Sequence, residues 1–239
     1  MRYLDLTLET PQQNLACDEA LLDLCEDDGE REILRCWEPR EHFVVLGYSS
    51  ARAADVDLAA CRRQGIPVLR RCSGGGTVLQ GPGCLNFSLI LQLTRSQPLG
   101  TIAGATRFVL TRHKEALEAL LGSTVDLQGF SDLALKALKC SGNAQRRKRR
   151  CVLMHGTFLL DLDVALMERL LPVPSRQPPY RKNRSHAAFL TNLHLISEAV
   201  KAQLQQIWGA TRVLAPIPRE RIEELVRTRY ATEAWNAKF

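Results

Sequence analysis

Apolar positions recur along the chain at two spacings, one helical and one alternating, and these divide it into short segments. From Asn14 to Cys25, Leu15, Leu21, Leu22 and Leu24 fall at helical spacing, with acidic Asp18 and Glu19 near the start, where the helix dipole favours them. Ile33–Trp37 and Phe43–Gly47 are β-branched or aromatic runs around Glu38-Pro39-Arg40, which predicts strand, turn and strand. Asp55–Gln64 reads as a helix closed by Gly65, and Pro67–Arg71 starts another strand. Leu85–Leu93 is a strongly apolar strand. Thr101–Leu121 is a long helix that buries Ile102, Phe108, Val109, Leu117, Leu120 and Leu121.

Further strands are predicted at Val125–Leu127, Leu133–Leu138 and Cys151–Leu160. Asp163–Leu171 is helical, Pro172-Val173-Pro174 ends it, and a Pro-, Arg- and Ser-rich loop runs to about His186. Asn192 is placed to cap a helix carrying Ile196, Val200, Leu204 and Ile207, and Arg219–Thr228 is the last helix. Strand pairs mixed with helices on one chain predict an α+β fold, with mostly antiparallel β-sheets packed against helices. The expected division is a catalytic domain over residues 1–209 and a short helical tail over 210–239.

Composition narrows the class. A chain of 239 residues, 45% apolar and 24% charged, can bury a core without metals or disulfides. Lys plus Arg exceed Asp plus Glu by 32 to 26, a net charge of +6 that favours acidic partners. No helix-turn-helix, zinc-finger or RNA-recognition signature accompanies it, so nucleic acid is not an expected partner. The eight cysteines are scattered without a C-x-x-C pair. The first residues lack the apolar core of a signal peptide, and no apolar run approaches the roughly 20 residues that span a bilayer. The expectation is a reducing cytoplasm, free thiols and no membrane.

Three segments carry candidate chemistry. Arg70-Arg71-Cys72-Ser73-Gly74-Gly75-Gly76-Thr77 places three glycines between two strand-like runs. Such a loop lets backbone amides approach an anion, and arginines beside it donate to phosphate or carboxylate. A flexible hairpin tip is the plain alternative. The spacing fits neither the P-loop nor the Rossmann fingerprint. In the second segment, Lys139 precedes the small residues of Lys139-Cys140-Ser141-Gly142. A lysine in an apolar strand setting calls for an anion, such as a carboxylate or the charge developing on a carbonyl. The plain alternative is a solvated strand-end lysine. The third is His155-Gly156-Thr157, in which a lone histidine is more often structural than catalytic.

In order and separation, RRCSGGGTV with GCLNFS, KCSGNAQRR and HGTFLLDLD resemble the lipoate–protein ligases and related octanoyltransferases. NLACDEALL upstream, and NRSHAAFLTNL and YATEAWNAKF downstream, extend the resemblance over nearly the whole chain. It implies the catalytic-domain fold of biotin/lipoate–protein ligases. It assigns Arg70, Arg71, Ser73, Gly74, Gly75, Gly76, Thr77, Asn86, Ser141, Gly142, His155, Gly156 and Thr157 to an acyl and adenylate pocket, and Lys139 to the acyl carbonyl. Val45, Leu46, Val78, Leu79 and Phe87 are candidate tunnel walls.

The implied reaction activates lipoate with ATP and Mg²⁺ to lipoyl-AMP. The lipoyl group then passes to a lysine of a lipoyl-carrier domain: a glycine-cleavage carrier, an oxo-acid dehydrogenase subunit or a specialised lipoyl carrier. The basic tract Arg146, Arg147, Lys148, Arg149 and Arg150 is the expected docking patch for that acidic acceptor. The Ser175–His186 loop is a candidate cover for the ligand. The metal ligands are unknown, a monomer is the expectation, and an accessory protein is an open partner.

Two departures stand out. Gln80-Gly81 occupies the place of a frequent His-Asp pair, and Cys84 that of an asparagine. The alternatives are an octanoyltransferase that passes octanoyl from acyl-carrier protein through a cysteine thioester, or a relative that only binds. Gln128–Leu133, where such a nucleophile is usual, contains no cysteine, which leaves Cys140 and Cys151 as displaced candidates.

Overall fold

The computed structural model describes residues 1–29, 31–93 and 97–239, and for Gln97 the backbone alone. In chain order the elements are β1 (Arg2–Asp5), α1 (Pro11–Asp28), β2 (Ile33–Trp37), β3 (Phe43–Leu46), α2 (Arg52–Asp55), α3 (Leu58–Arg63), β4 (Val68–Arg70), β5 (Val78–Gln80), β6 (Cys84–Gln92), α4 (Ile102–Leu121), β7 (Asp126–Gln128), β8 (Asp132–Leu135), β9 (Leu138–Arg147) and β10 (Cys151–Leu159). There follow α5 (Val164–Leu170), α6 (His186–Phe189), α7 (Ser197–Trp208), β11 (Arg212–Val213), α8 (Arg219–Leu225), a π-helical turn (Val226–Tyr230) and α9 (Glu233–Asn236).

Two sheets result. The large one runs β11-β1-β2-β6-β10-β9-β8-β7, and the small one β4-β3-β5. Within the large sheet β1 lies parallel to β2 and β11, and the other pairs are antiparallel. The expected α+β architecture is the one observed. Residues 210–239 add β11 to the large sheet beside β1, and α8 packs on α1.

The register gives the large sheet two unlike faces, because directly opposed residues share a face and neighbours along a strand alternate. On one face Leu34, Phe87, Leu89, Val152, Met154 and Phe158 pack with Val109, Leu110 and Leu117 of α4 and Val200 and Leu204 of α7. On the other, Ile33, Trp37, Ile90, Leu153 and Cys151 pack with Leu15, Leu21 and Leu22 of α1. That second face also carries two polar cross-strand rows. One reads Arg35, Ser88, His155, Ala144; the other reads Trp37, Asn86, Thr157, Gly142, Asp132.

Several sequence expectations shift. Helix α1 begins at Pro11, because Thr10 and Gln13 form a reciprocal capping box. The helix expected over Asp55–Gln64 is split, and Asp57 caps its second half by accepting from the Ala60 amide at 2.8 Å. Asn192 caps no helix; it clamps the main chain of Leu162, donating and accepting at 3.0 Å. The five candidate tunnel residues share no surface: Phe87 lies in the α4 cluster, Val45 and Val78 in the α1 cluster, and Leu46 and Leu79 in a third cluster with Leu166 and Leu170. Only the pairs Val45 with Val78 and Leu46 with Leu79 share a cluster. Lys139 was expected between two strands, yet β9 runs unbroken from Leu138 to Arg147.

Candidate functional site

The triple-glycine loop lies over the polar face. A Cβ on Gly75 would come within 3.7 Å of the Ala144 Cβ, and one on Gly47 would sit 1.9 Å from the Gly75 carbonyl oxygen. Glycine is therefore required at 47 for the loop to approach this closely. Gly75 itself has φ +90°, a left-handed conformation that costs an L side chain strain. Gly74 and Gly76 face open space, and no described residue accepts from the amides of Gly74, Gly75 or Gly76.

The two arginines before the loop play different parts. Arg70 is fully buried, and its guanidinium donates to the carbonyls of Gly47 (2.8 Å), Tyr48 (3.0 Å), Ser50 (2.9 Å), Trp235 (3.2 Å) and Asn236 (3.2 Å). Spent on main-chain oxygens, it ties the loop before α2 to the C-terminal segment. Asn236 returns an acceptor to the Arg70 amide at 2.9 Å, and Trp235 donates to its carbonyl. Arg71 shapes the glycine loop: it donates to the Gly74 carbonyl (2.6 Å), the Gly76 carbonyl (2.9 Å) and Ser73 Oγ (3.0 Å). Burial lowers its pKa to about 10, so it stays charged at neutral pH.

Beneath the loop, Ser73 Oγ lies 2.6 Å from His155 Nε2, and His155 Nδ1 lies 3.3 Å from Asp18 Oδ2 on α1. Arg35 donates to Asp18 Oδ1 and to Asn14 Oδ1, each at 2.6 Å. Burial pushes the Asp18 carboxyl upward, but Arg35, and after it His155, hold it below the ordinary range. In the next row Gln80 donates to Thr157 Oγ1 (2.6 Å), Thr157 donates to Asn86, and Asn86 donates back to Gln80 (2.9 Å). The residue that replaces the family's frequent histidine thus closes a polar ring. A Cβ on Gly81 would strike the ring of His42 at 2.1 Å, so His42 fills the space beside it.

Lys139 reaches the same face because of a bulge. Leu133 opposes Ser141 and Ala134 opposes Lys139, leaving Cys140 as the extra residue. Without it Lys139 would point into the α4 core. Instead its Nζ lies 2.7 Å from Asp132 Oδ1 and beside Gly142, where a Cβ would come within 3.0 Å of it. Tyr180, from the Ser175–His186 loop, donates to Asp132 Oδ2 at 2.8 Å. Arg184 fixes that loop by donating to the carbonyls of Ala137 and Tyr180.

The structure therefore brings together Ser73, the three glycines, Asn86, Lys139, Gly142, His155 and Thr157. Ser141 and Gly156 lie on the opposite face: Asn143 donates to Ser141 Oγ, and a Cβ on Gly156 would meet Asn143 Oδ1 at 2.0 Å. Thr77 donates to Asp55 Oδ2 at 2.9 Å. Of the basic tract, Arg147 donates to Leu99 and Gly100 carbonyls, Lys148 pairs with Asp23 at 2.5 Å, and Arg150 bonds Glu26. Arg146 and Arg149 are exposed, with no ion pair among the described residues. The sequence reading missed Asp18, Arg35 and Asp132. An arginine inside the apolar run Ile33–Trp37 and the adjacent Asp18 and Glu19 among the apolar residues of Leu15–Leu22 were the available signals.

All eight cysteines are free and buried. Burial pushes the Cys140 thiol up to about 12 and the Cys151 thiol up to about 11. Cys140 faces the α4 core and Cys151 the α1 cluster. The described residues hold no group of three or more His, Cys, Asp and Glu side chains suited to a metal, and no helix long and apolar enough to cross a membrane.

The chain is similar to known proteins in sequence and in fold. The chain is 27% identical over 274 residues to the octanoyltransferase LipM of Brevibacillus brevis, covering 99% of this chain and 98% of that one. It is 28% identical over 205 residues to a putative lipoate-protein ligase A of Aeropyrum pernix, covering 86% and 73%. Its fold matches a bipartite lipoate protein ligase of Thermoplasma acidophilum, described with its E2 lipoyl domain, with a TM-score of 0.82 at 24% identity over 99% and 96% of the chains. It also matches a lipoate-protein ligase A bound with ATP, with a TM-score of 0.77 at 24% identity over 99% of each chain. A family model, the lipoyl protein ligase A/B catalytic domain, matches residues 10–207, and the chain belongs to that family.

Proposed function

We propose that the protein is an ATP-dependent lipoate–protein ligase. It would activate lipoate as lipoyl-AMP and transfer the lipoyl group to a lysine of a lipoyl-carrier domain. One observation carries the choice of ligase over thioester-forming transferase: burial raises the thiol pKa of all eight cysteines. A thioester route needs a thiolate, which forms in exposed electropositive surroundings and not in an apolar core. The ligase route asks for donors where charge develops. The unpaired amides of Gly74–Gly76 supply them for phosphate, and Lys139 supplies one for the acyl carbonyl after exchanging Asp132 for the ligand. Between them β9 offers only Gly142 and Ala144, small residues over which an acyl chain can lie.

Mg²⁺ would arrive with the nucleotide. An ion carried by phosphates and water needs only one or two carboxylates. Arg146 and Arg149 remain available to an acidic carrier. Free thiols suit a reducing compartment.

Mass spectrometry of an unlipoylated acceptor domain tests the reading. One reaction holds lipoate, ATP and Mg²⁺; another holds octanoyl-acyl-carrier protein without ATP. Modification in the first is the expected result, and the Cys140→Ala and Cys151→Ala variants should keep about a third or more of it. Modification in the second alone, lost in either variant, would establish the transferase in place of the ligase.

A further inference from the structure

We infer that Ser73, His155 and Asp18 form a proton relay for the transfer step, taking the proton from the acceptor lysine amine. The inference rests on the proposal that this chain acylates a lysine, and holds for either acyl donor. The three groups come from the glycine loop, β10 and α1, and they make one hydrogen-bonded line from a hydroxyl to a buried carboxylate.

The proton positions follow from the donors. Asp18 is held ionised by Arg35, so it accepts, and the relay requires the N–H of His155 to stand at Nδ1, facing it. Nε2 is then the acceptor, and the hydroxyl hydrogen of Ser73 points to it. The Arg71 Nε–H, a permanent donor, takes one lone pair of Ser73 Oγ. The second lone pair has no donor among the described residues, and because Ser73 is 1% exposed an incoming N–H reaches it only when the glycine loop lifts. Ser73 Oγ also begins the run of glycines whose amides are unpaired, so the relay ends where an acyl donor would be held. The charged groups facing His155 are Asp18 from α1, Arg35 from β2, Arg71 through Ser73, and Arg146 on the same face of β9.

The step balances. The amine nitrogen bonds to the acyl carbon, and the bond from that carbon to the AMP phosphate oxygen, or to a thioester sulfur, breaks with its electron pair. Before attack, the lysine ammonium passes one proton to Ser73 Oγ as the Ser73 hydroxyl proton passes to His155 Nε2, which frees the nitrogen lone pair; the second proton leaves the nitrogen to solvent as the amide forms. Asp18 stabilises the imidazolium, which then returns its proton to solvent. Ser73 and His155 are the catalytic residues of this step, and Asp18 is a positioning residue.

The test is single-turnover transfer from preformed lipoyl-adenylate, and separately from octanoyl-acyl-carrier protein, to an acceptor domain between pH 6.5 and 10. His155→Gln should slow transfer about 10²-fold at pH 7, the scale of a lost general base. The defect should shrink steadily toward pH 10, because the lysine amine, with a pKa of about 10.4, then arrives already deprotonated. Asp18→Asn should show the same closing defect at smaller size. A His155→Gln defect of constant size across this range, or one under threefold at pH 7, overturns the relay. If His155→Gln does not fold, Ser73→Ala carries the same two outcomes. Absence of product from the unaltered protein with either donor sinks lysine acylation and the relay together; product with a pH-independent defect sinks the relay alone.

Discussion

The two faces of the large sheet are built from the same strands, alternate residue by alternate residue, yet they solve different problems. The face toward α4 and α7 is hydrocarbon across β2, β6 and β10 and turns polar only on β9, with Phe87 and Phe158 at 5.4 Å between ring centroids and His113 packed against both. The face toward α1 and the glycine loop buries Arg35, Asp18, His155, Ser73, Asn86 and Gln80. Each of those groups is paired, as burial demands. An ion pair such as Arg35–Asp18 adds little net stability over a well-packed apolar replacement, while losing one partner costs about 3–5 kcal/mol. A chain selected for stability alone would have had two apolar faces. The polar one is where function is expected.

Three perturbations separate the faces. The largest effect is on stability: Phe158→Ala should cost about 3–5 kcal/mol in denaturant unfolding, with the rate per folded molecule little changed. A loss under about 1 kcal/mol would mean that this face is not the core. Next, Lys139→Ala should lower acyl transfer about 10²–10³-fold, the scale of a lost electrostatic donor. Its effect on stability should stay within about 1 kcal/mol, since Lys139 is a quarter exposed and Asp132 keeps the Tyr180 hydroxyl. Equal losses of stability and activity would erase the distinction.

The third effect concerns pH and is the smallest of the three per pH unit. Burial depresses His113 to about 3, so the folded protein keeps it neutral where the unfolded chain, at about 6.5, takes up a proton. The unfolded state then binds more protons, and its contribution to stability is complete above about pH 6.5 and is lost as pH falls toward 3. The slope should be about 1.4 kcal/mol per pH unit within that window. His113→Gln, which can still accept from the Trp208 indole N–H, should flatten this limb in unfolding curves measured against pH. An unchanged limb would place the acid sensitivity elsewhere.

Much of the site was legible along the chain because it is built from local runs. The glycines, Arg71, Lys139, His155 and Thr157 sit in short motifs whose residue types announce donors and close approach. Less legible was which way each side chain points. Ser141 and Gly142 are neighbours in one motif and lie on opposite faces, as do Gly156 and its neighbours His155 and Thr157. Arg70 and Arg71 look interchangeable in sequence, but one is bound to carbonyls from residues 47–50 and 235–236, and the other to the loop itself. Two of the residues that accept from Arg70, Trp235 and Asn236, are 165 and 166 positions away, beyond any local pattern.

The sequence by itself determined the class of fold, the elements with strong periodicity and the three motifs, since propensity, turn chemistry and hydrophobic spacing act over a few residues. Tertiary structure alone decided which residues meet. The bulge at Cys140 turned Lys139 onto the polar face, and the pairing of β10 with β6 and β9 placed His155 between Ser88 and Ala144. The docking of α1 brought Asp18 to His155 across 137 positions. Strand register and helix docking are set by the summed burial of the whole chain, so no single segment could have specified them.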